Sequence, residues 1–165
     1  MIITLSAEDL EVGRREGIRR HVHSRQRGLK SNFYDEGNEM DVLGAQGEIA
    51  AAQCLWIPFE PKVDTFKAAD IGVNLQVRTT PRSNGRLIIK KGDNPDHIYI
   101  LVRKLSRNDF EVVGWIFGHE GQRPEYLTKV RHGGSVFFVP NYKLKSIDDL
   151  FVNDEFRKNL AEILV

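Results

Sequence analysis

The chain has 165 residues, the size of one domain, and 41% hydrophobic against 28% charged residues is enough for a packed core and argues against global disorder. A net charge of +1 excludes a uniformly basic nucleic-acid wrapper, so any nucleic-acid role needs local segregation of charge. One cysteine, Cys54, excludes an intrachain disulfide and fits a reducing compartment.

Cys54 lies in an alanine-rich apolar run and reads as a small buried hydrophobe rather than a nucleophile. The opening "MIITLSAEDL" has neither the basic flank nor the apolar core of a signal peptide. No apolar run approaches the roughly 20 residues that span a bilayer. The expectation is a soluble, cytoplasmic protein with no membrane association.

The first element is a helix. Ser6 is placed to cap it, Glu8 and Asp9 suit the positive end of its dipole, and the pattern predicts a helix from Ala7 to Gln26. Its second half is strongly basic: from Arg14 to Lys30 there are seven Arg or Lys and one acid, Glu16. Arg14, Arg15, Arg19, Arg20, Arg25 and Arg27 point almost all round the helix, which fits contact with phosphates better than a single wetted face. The histidines form no zinc pattern, since His21 and His23 at i, i+2 diverge on a helix. The polar "SNFYDEGNEMD" that follows reads as a loop.

A second helix is expected over "MDVLGAQGEIAAAQCL", with Asp41 as its cap. Val42, Ala45, Ile49 and Ala52 recur at helical spacing. Beside that stripe, Glu48 sits among Gly44, Ala51 and Leu55, which is not a solvent face. The small residues let this helix approach a sheet closely, although each glycine costs about 1 kcal/mol of helix propensity.

The middle of the chain is rich in β signals. "IPFEPKVDTFKAA" is irregular or holds one short strand, and "DIGV" with "LQVRTT" reads as a hairpin around Asn74. "RLIIKK", "HIYILVRK" and "FEVVGWIFG" are three further strands separated by turn residues, "RPEYLTK" is a loop or short helix, and "SVFFVP" is a last strand ended by Pro140. "SIDDLFVNDEFRKNLAEILV" holds a short helical turn and then a terminal helix. The order of helices and strands gives α/β or α+β, in one domain.

Alternation along "LQVRTT" puts Leu75, Val77 and Thr79 on one face and Gln76, Arg78 and Thr80 on the other. Alone, that second face reads as a wet strand, Asp70 as a turn residue and Glu48 as a surface acid. Together the four side chains suit phosphodiester hydrolysis, which needs a hard cation on oxygen ligands, an activated water and a positive charge at the phosphate. Asp70 supplies one carboxylate, Gln76 a neutral oxygen, and Arg78 a cation two residues along the same face.

"GAQGEIAAAQCL", then "AD" and "LQVRTT", resembles the PD-(D/E)xK nuclease superfamily. "NGRLIIKK", "HIYILVRK" and the stretch from "VVGWIFG" to "FFVP" resemble the following core strands of its small phage- and prophage-type members, so the likeness runs over roughly residues 40 to 140. The resemblance implies a restriction-endonuclease-like fold, a central mixed sheet flanked by helices, and a Mg²⁺- or Mn²⁺-dependent nuclease acting on DNA. It further implies that Asp70, Gln76 and the Val77 carbonyl hold the metal. Glu48 then binds a second metal or positions the attacking water, Arg78 stabilises charge on the phosphate, and the basic helix grips the DNA backbone, with Lys90 added to that surface or assisting Arg78 from the neighbouring strand. A homodimer is compatible, because many members need two sites to cut two strands. Gln76 replaces the commoner acid and Arg78 the commoner Lys, and Arg is a poor proton shuttle. The alternative expectation is therefore a catalytically inactive nucleic-acid-binding module on the same fold.

Overall fold

The computed structural model describes residues 1–28, 38–61, 69–131 and 134–163. Lys30, the first seven residues of the loop expected at 31–41 and the stretch 62–68 lie outside the described residues, and the end of that expected loop, from Glu39, is helical instead.

Strand β1 (Ile2–Thr4) comes first, followed by helix α1 (Ala7–Gln26), which has the expected bounds. Ser6 accepts the Asp9 N–H and the Asp9 carboxylate accepts the Ser6 N–H, both at 3.0 Å, a reciprocal capping box. Helix α2 (Glu39–Cys54) has Asn38, not Asp41, at its N-cap position, and the Asn38 side chain makes no capping hydrogen bond. Asp41 lies in its first turn and pairs with His21 Nδ1 at 2.9 Å instead.

The remaining elements are β2 (Leu75–Thr80), β3 (Leu87–Lys90), β4 (Ile98–Lys104), β5 (Asp109–Phe117), α3 (Gly118–Gly121), β6 (Leu127–Lys129), β7 (Ser135–Val139), α4 (Ile147–Phe151) and α5 (Asp154–Ile163). Strand β1 has no counterpart among the elements expected from the sequence. The "RPEYLTK" stretch holds both a 3-10 turn and β6. The expected "DIGV" strand reduces to a single bridge between Ile71 and Leu75 that closes a tight turn, with Gly72 at φ 58°. That turn places Asp70 beside β2.

The described residues form one mixed α/β domain with two sheets. The larger runs β1-β5-β4-β2, with β4 parallel to β2 and antiparallel to β5. The smaller, β3-β7-β6, is antiparallel throughout. Strand β4 is buried from Ile98 to Val102 on both faces, as its unbroken apolar run requires. On one face, Leu75, Val77, Ile98, Ile100, Val102 and Val112 form a core with α2, α4 and Phe156 of α5. On the other, Tyr99, Leu101 and Ile116 pack against Leu87, Ile89 and Val139 of the smaller sheet. Gln76 and Arg78, paired in register with Tyr99 and Leu101, lie on this second side.

Two glycines set how tightly the helices close. A Cβ on Gly47 would overlap the Thr79 side chain, so α2 lies directly on β2. A Cβ on Gly17 would overlap the Val42 backbone, so α1 lies directly on α2. These contacts fix the positions of Glu48 and Arg20. Among the described residues, no helix is long and apolar enough to cross a membrane.

Candidate functional site

Asp70 is fixed by the backbone of the strand beside it: its Oδ2 accepts the Val77 N–H at 2.7 Å. From the same strand Arg78 turns back. Its Nη1 lies 3.2 Å from the Val77 carbonyl oxygen, 3.4 Å from Gln76 Oε1 and 3.6 Å from Asp70 Oδ2. Three oxygens named from the sequence thus surround one cationic nitrogen. All three distances are long for charge-assisted N–H···O contacts, which run at about 2.7–2.9 Å. The other nitrogen, Nη2, is well bound: it donates to Asp93 Oδ2 at 2.9 Å, and the guanidinium stands 5.4 Å from the centre of the Tyr99 ring.

Asp93, His97 and Tyr99 belong to this cluster and carry no motif signal in the sequence. Asp93 Oδ2 also accepts the Lys90 N–H at 2.9 Å, so the turn after β3 folds onto Arg78. Lys90 is exposed and pairs into the smaller sheet, so it reaches Arg78 through Asp93 and not from a strand adjacent to β2. Gln76 Nε2 lies 3.3 Å from His97 Nδ1. With Gln76 Oε1 facing Arg78, the amide donates to Nδ1, and a neutral His97 carries its proton on Nε2. Burial lowers the His97 pKa below its ordinary value and favours that neutral ring, although the acids Asp96, Asp70 and Asp93 pull the other way. Burial likewise pushes the Tyr99 phenol up, and its hydroxyl donates to the Asn94 carbonyl at 2.9 Å. The signal that could have found this group is the register: Tyr99 stands opposite Gln76.

Glu48 is 5% exposed and is reached differently. Arg20 of α1 donates to both its oxygens, Nη1 to Oε1 at 2.6 Å and Nη2 to Oε2 at 2.8 Å. The same Arg20 donates through Nε to Glu16 Oε1 at 3.0 Å, and Glu16 is also 5% exposed. Burial pushes the Glu48 carboxyl up to about 7. Arg20 pulls it down without undoing the rise, to which the charges of Asp70 and Glu16 add.

The structure therefore brings Asp70, Gln76, Val77 and Arg78 together in direct contact. Glu48 is close enough to feel the charge of Asp70 but spends its oxygens on Arg20. The basic helix divides as well. Arg14, Arg15, Arg19, Arg25 and Arg27 are all exposed, Arg14 pairing with Glu11 and Arg19 with Glu16, and Arg20 is turned inward.

Among the described residues, no three His, Cys, Asp or Glu side chains are grouped to hold a metal ion. The oxygens around Arg78 Nη1 are a different set, with one carboxylate, one amide and one main-chain carbonyl. All three are hard donors, the kind that magnesium takes alongside water and substrate phosphate. The guanidinium nitrogen among them stands in for a cation, so the donor set fits. Comparison with protein-family models, curated proteins and solved structures finds no match in any of the three.

Proposed function

We propose that the chain is a metal-dependent nuclease that hydrolyses phosphodiester bonds in DNA, on a restriction-endonuclease-like fold. The observation that carries this reading is the convergence of Asp70 Oδ2, Gln76 Oε1 and the Val77 carbonyl on one loosely held cationic nitrogen. The helix-then-strand order that places Glu48 and Asp70 at the edge of a mixed sheet supports it further.

A bound divalent cation supplies Lewis-acid polarisation of the phosphoryl oxygen and an acidified water. Asp70, Gln76 and the Val77 carbonyl would hold it. The protein's own groups do the rest. The Val77 N–H fixes the carboxylate of Asp70, and His97 fixes which way the Gln76 amide faces. Asp93 and Tyr99 anchor Arg78 through Nη2 and the guanidinium face, which leaves Nη1 able to meet a phosphate oxygen. A guanidinium is suited to that task, being planar, permanently charged and rich in donors.

The test is cleavage of supercoiled, linear and single-stranded DNA in Mg²⁺ or Mn²⁺. Asp70→Ala is expected to lower the rate by about 10³-fold, in the range seen when a preorganised charge-stabilising group is lost, with its fold intact by circular dichroism. Undiminished cleavage by that variant sinks the reading.

One observation favours the alternative of an inactive nucleic-acid-binding module: each of the two acids, Glu48 and Asp70, already faces a guanidinium. That module would bind DNA with steep salt dependence while neither binding Mn²⁺ nor cutting any form of DNA.

A further inference from the structure

The two guanidiniums at the site are held very differently, and the contrast has a chemical meaning. Arg78 Nη1 sits 3.2–3.6 Å from its three oxygens, loosely enough for a doubly charged ion to displace it while Nη2 stays on Asp93. Arg20 binds both oxygens of Glu48 at 2.6 and 2.8 Å, in the fork geometry that matches a carboxylate best, and its Nε is held by the buried Glu16. We infer that Arg20 is a built-in cation, occupying at Glu48 the place that a second divalent ion would take, so that this site accepts one divalent ion and not two.

Charge and packing both support this. Glu16 and Glu48 are buried acids, and Arg20 lies between them with Arg19 on the outer side of Glu16. Removing Arg20 would leave Glu48 unpaired and close to Asp70, whose charge already reaches it. Once a divalent ion has displaced Arg78 Nη1 from Asp70, Glu48 and Asp70 would then be two carboxylates able to share a second one. The Gly17 contact with α2 holds α1 where Arg20 can span both acids, so the arginine is as much part of the framework as the acids are. Arg20 is thereby a positioning residue for Glu48 and does not contact phosphate.

The inference rests on the nuclease reading for its claim that a metal binds at Asp70, and its test separates the two. The number of Mn²⁺ ions bound by the full chain is counted from loss of the free-ion paramagnetic resonance signal. Arg20→Met keeps the length and apolar stem of the side chain but removes the charge. The expected counts are one ion for the unaltered chain, two for Arg20→Met and one for Glu48→Gln. Glu48→Gln keeps the inference testable even where Arg20→Met does not fold, because a Glu48 that holds no metal cannot change the count. Two ions on the unaltered chain, one ion on a folded Arg20→Met, or loss of binding in Glu48→Gln overturns it. No ion on the unaltered chain sinks the metal-dependent reading and this inference with it, whatever Arg20→Met binds, whereas one ion on the unaltered chain with one on folded Arg20→Met overturns this inference alone.

Discussion

Asp93 contributes nothing to the sequence motif, yet it decides where the Arg78 charge rests. A charged hydrogen bond of the kind at Nη2 contributes about 1.5–3 kcal/mol. Without it, the guanidinium is free to close onto Asp70 and Gln76. Asp93→Ala is therefore expected to lower the cleavage rate about 10- to 100-fold, as that energy implies, and to weaken Mn²⁺ binding in the same direction. Adding Arg78→Ala to Asp93→Ala should restore the Mn²⁺ affinity but not the cleavage. Tight Mn²⁺ binding in the single variant would show that Arg78 does not compete for those oxygens. Gln76 and Arg78 were legible in the sequence because spacing of two on a strand places side chains on one face. Asp93 was not, because "GDNPD" carries only the local signature of a turn. Its chemistry arises when that turn folds back onto β2, from which it is separated in sequence by all of β3.

Helices were legible through their local chemistry, and the capping box at Ser6 set the start of α1. Short strands were not. Strand β1 pairs Ile2 with Glu111 and Ile3 with Phe110, a partnership that no local pattern announces. The far end of β5 is secured in a similar long-range way. Lys145 Nζ reaches both oxygens of Glu120, at 2.8 and 2.7 Å, and lies over the Trp115 and Phe117 rings. Burial pushes the Glu120 carboxyl up, but Lys145 and the Phe117 N–H outweigh it and hold it below its ordinary value of 4.5. A carboxyl whose pKa is depressed by folding contributes stability that is fully present above its unfolded value and is lost as pH falls through the folded one. Glu120→Gln is expected to flatten the acid side of the stability profile below about pH 4.5, the ordinary glutamate value, relative to the unaltered chain in urea denaturation. An unchanged acid limb would show that the pair contributes nothing measurable.

Across the whole molecule, a net charge of +1 conceals a basic helix that the fold divides into inward and outward parts. Replacing Arg15, Arg25 and Arg27 together by Ala is expected to reduce the salt slope of DNA binding by about 2–3, at roughly 0.9 for each phosphate no longer neutralised. Arg20→Met should leave that slope alone. A triple variant with the full slope would place the DNA on another surface. The sequence showed that the charge was segregated but not which arginines face out, since that depends on how α1 docks on α2 through Gly17. One feature of the larger sheet bears on every experiment at Asp70. Among the described residues strand β2 ends the sheet order, and the Val77 amide on its outer side is taken by the Asp70 carboxylate. An outer strand with a vacant amide invites another chain to pair with it. Asp70 thus shields the molecule from self-association as well as furnishing an acid. Asp70→Ala removes both services together, whereas Asp70→Asn retains an acceptor for that amide and keeps solubility apart from chemistry.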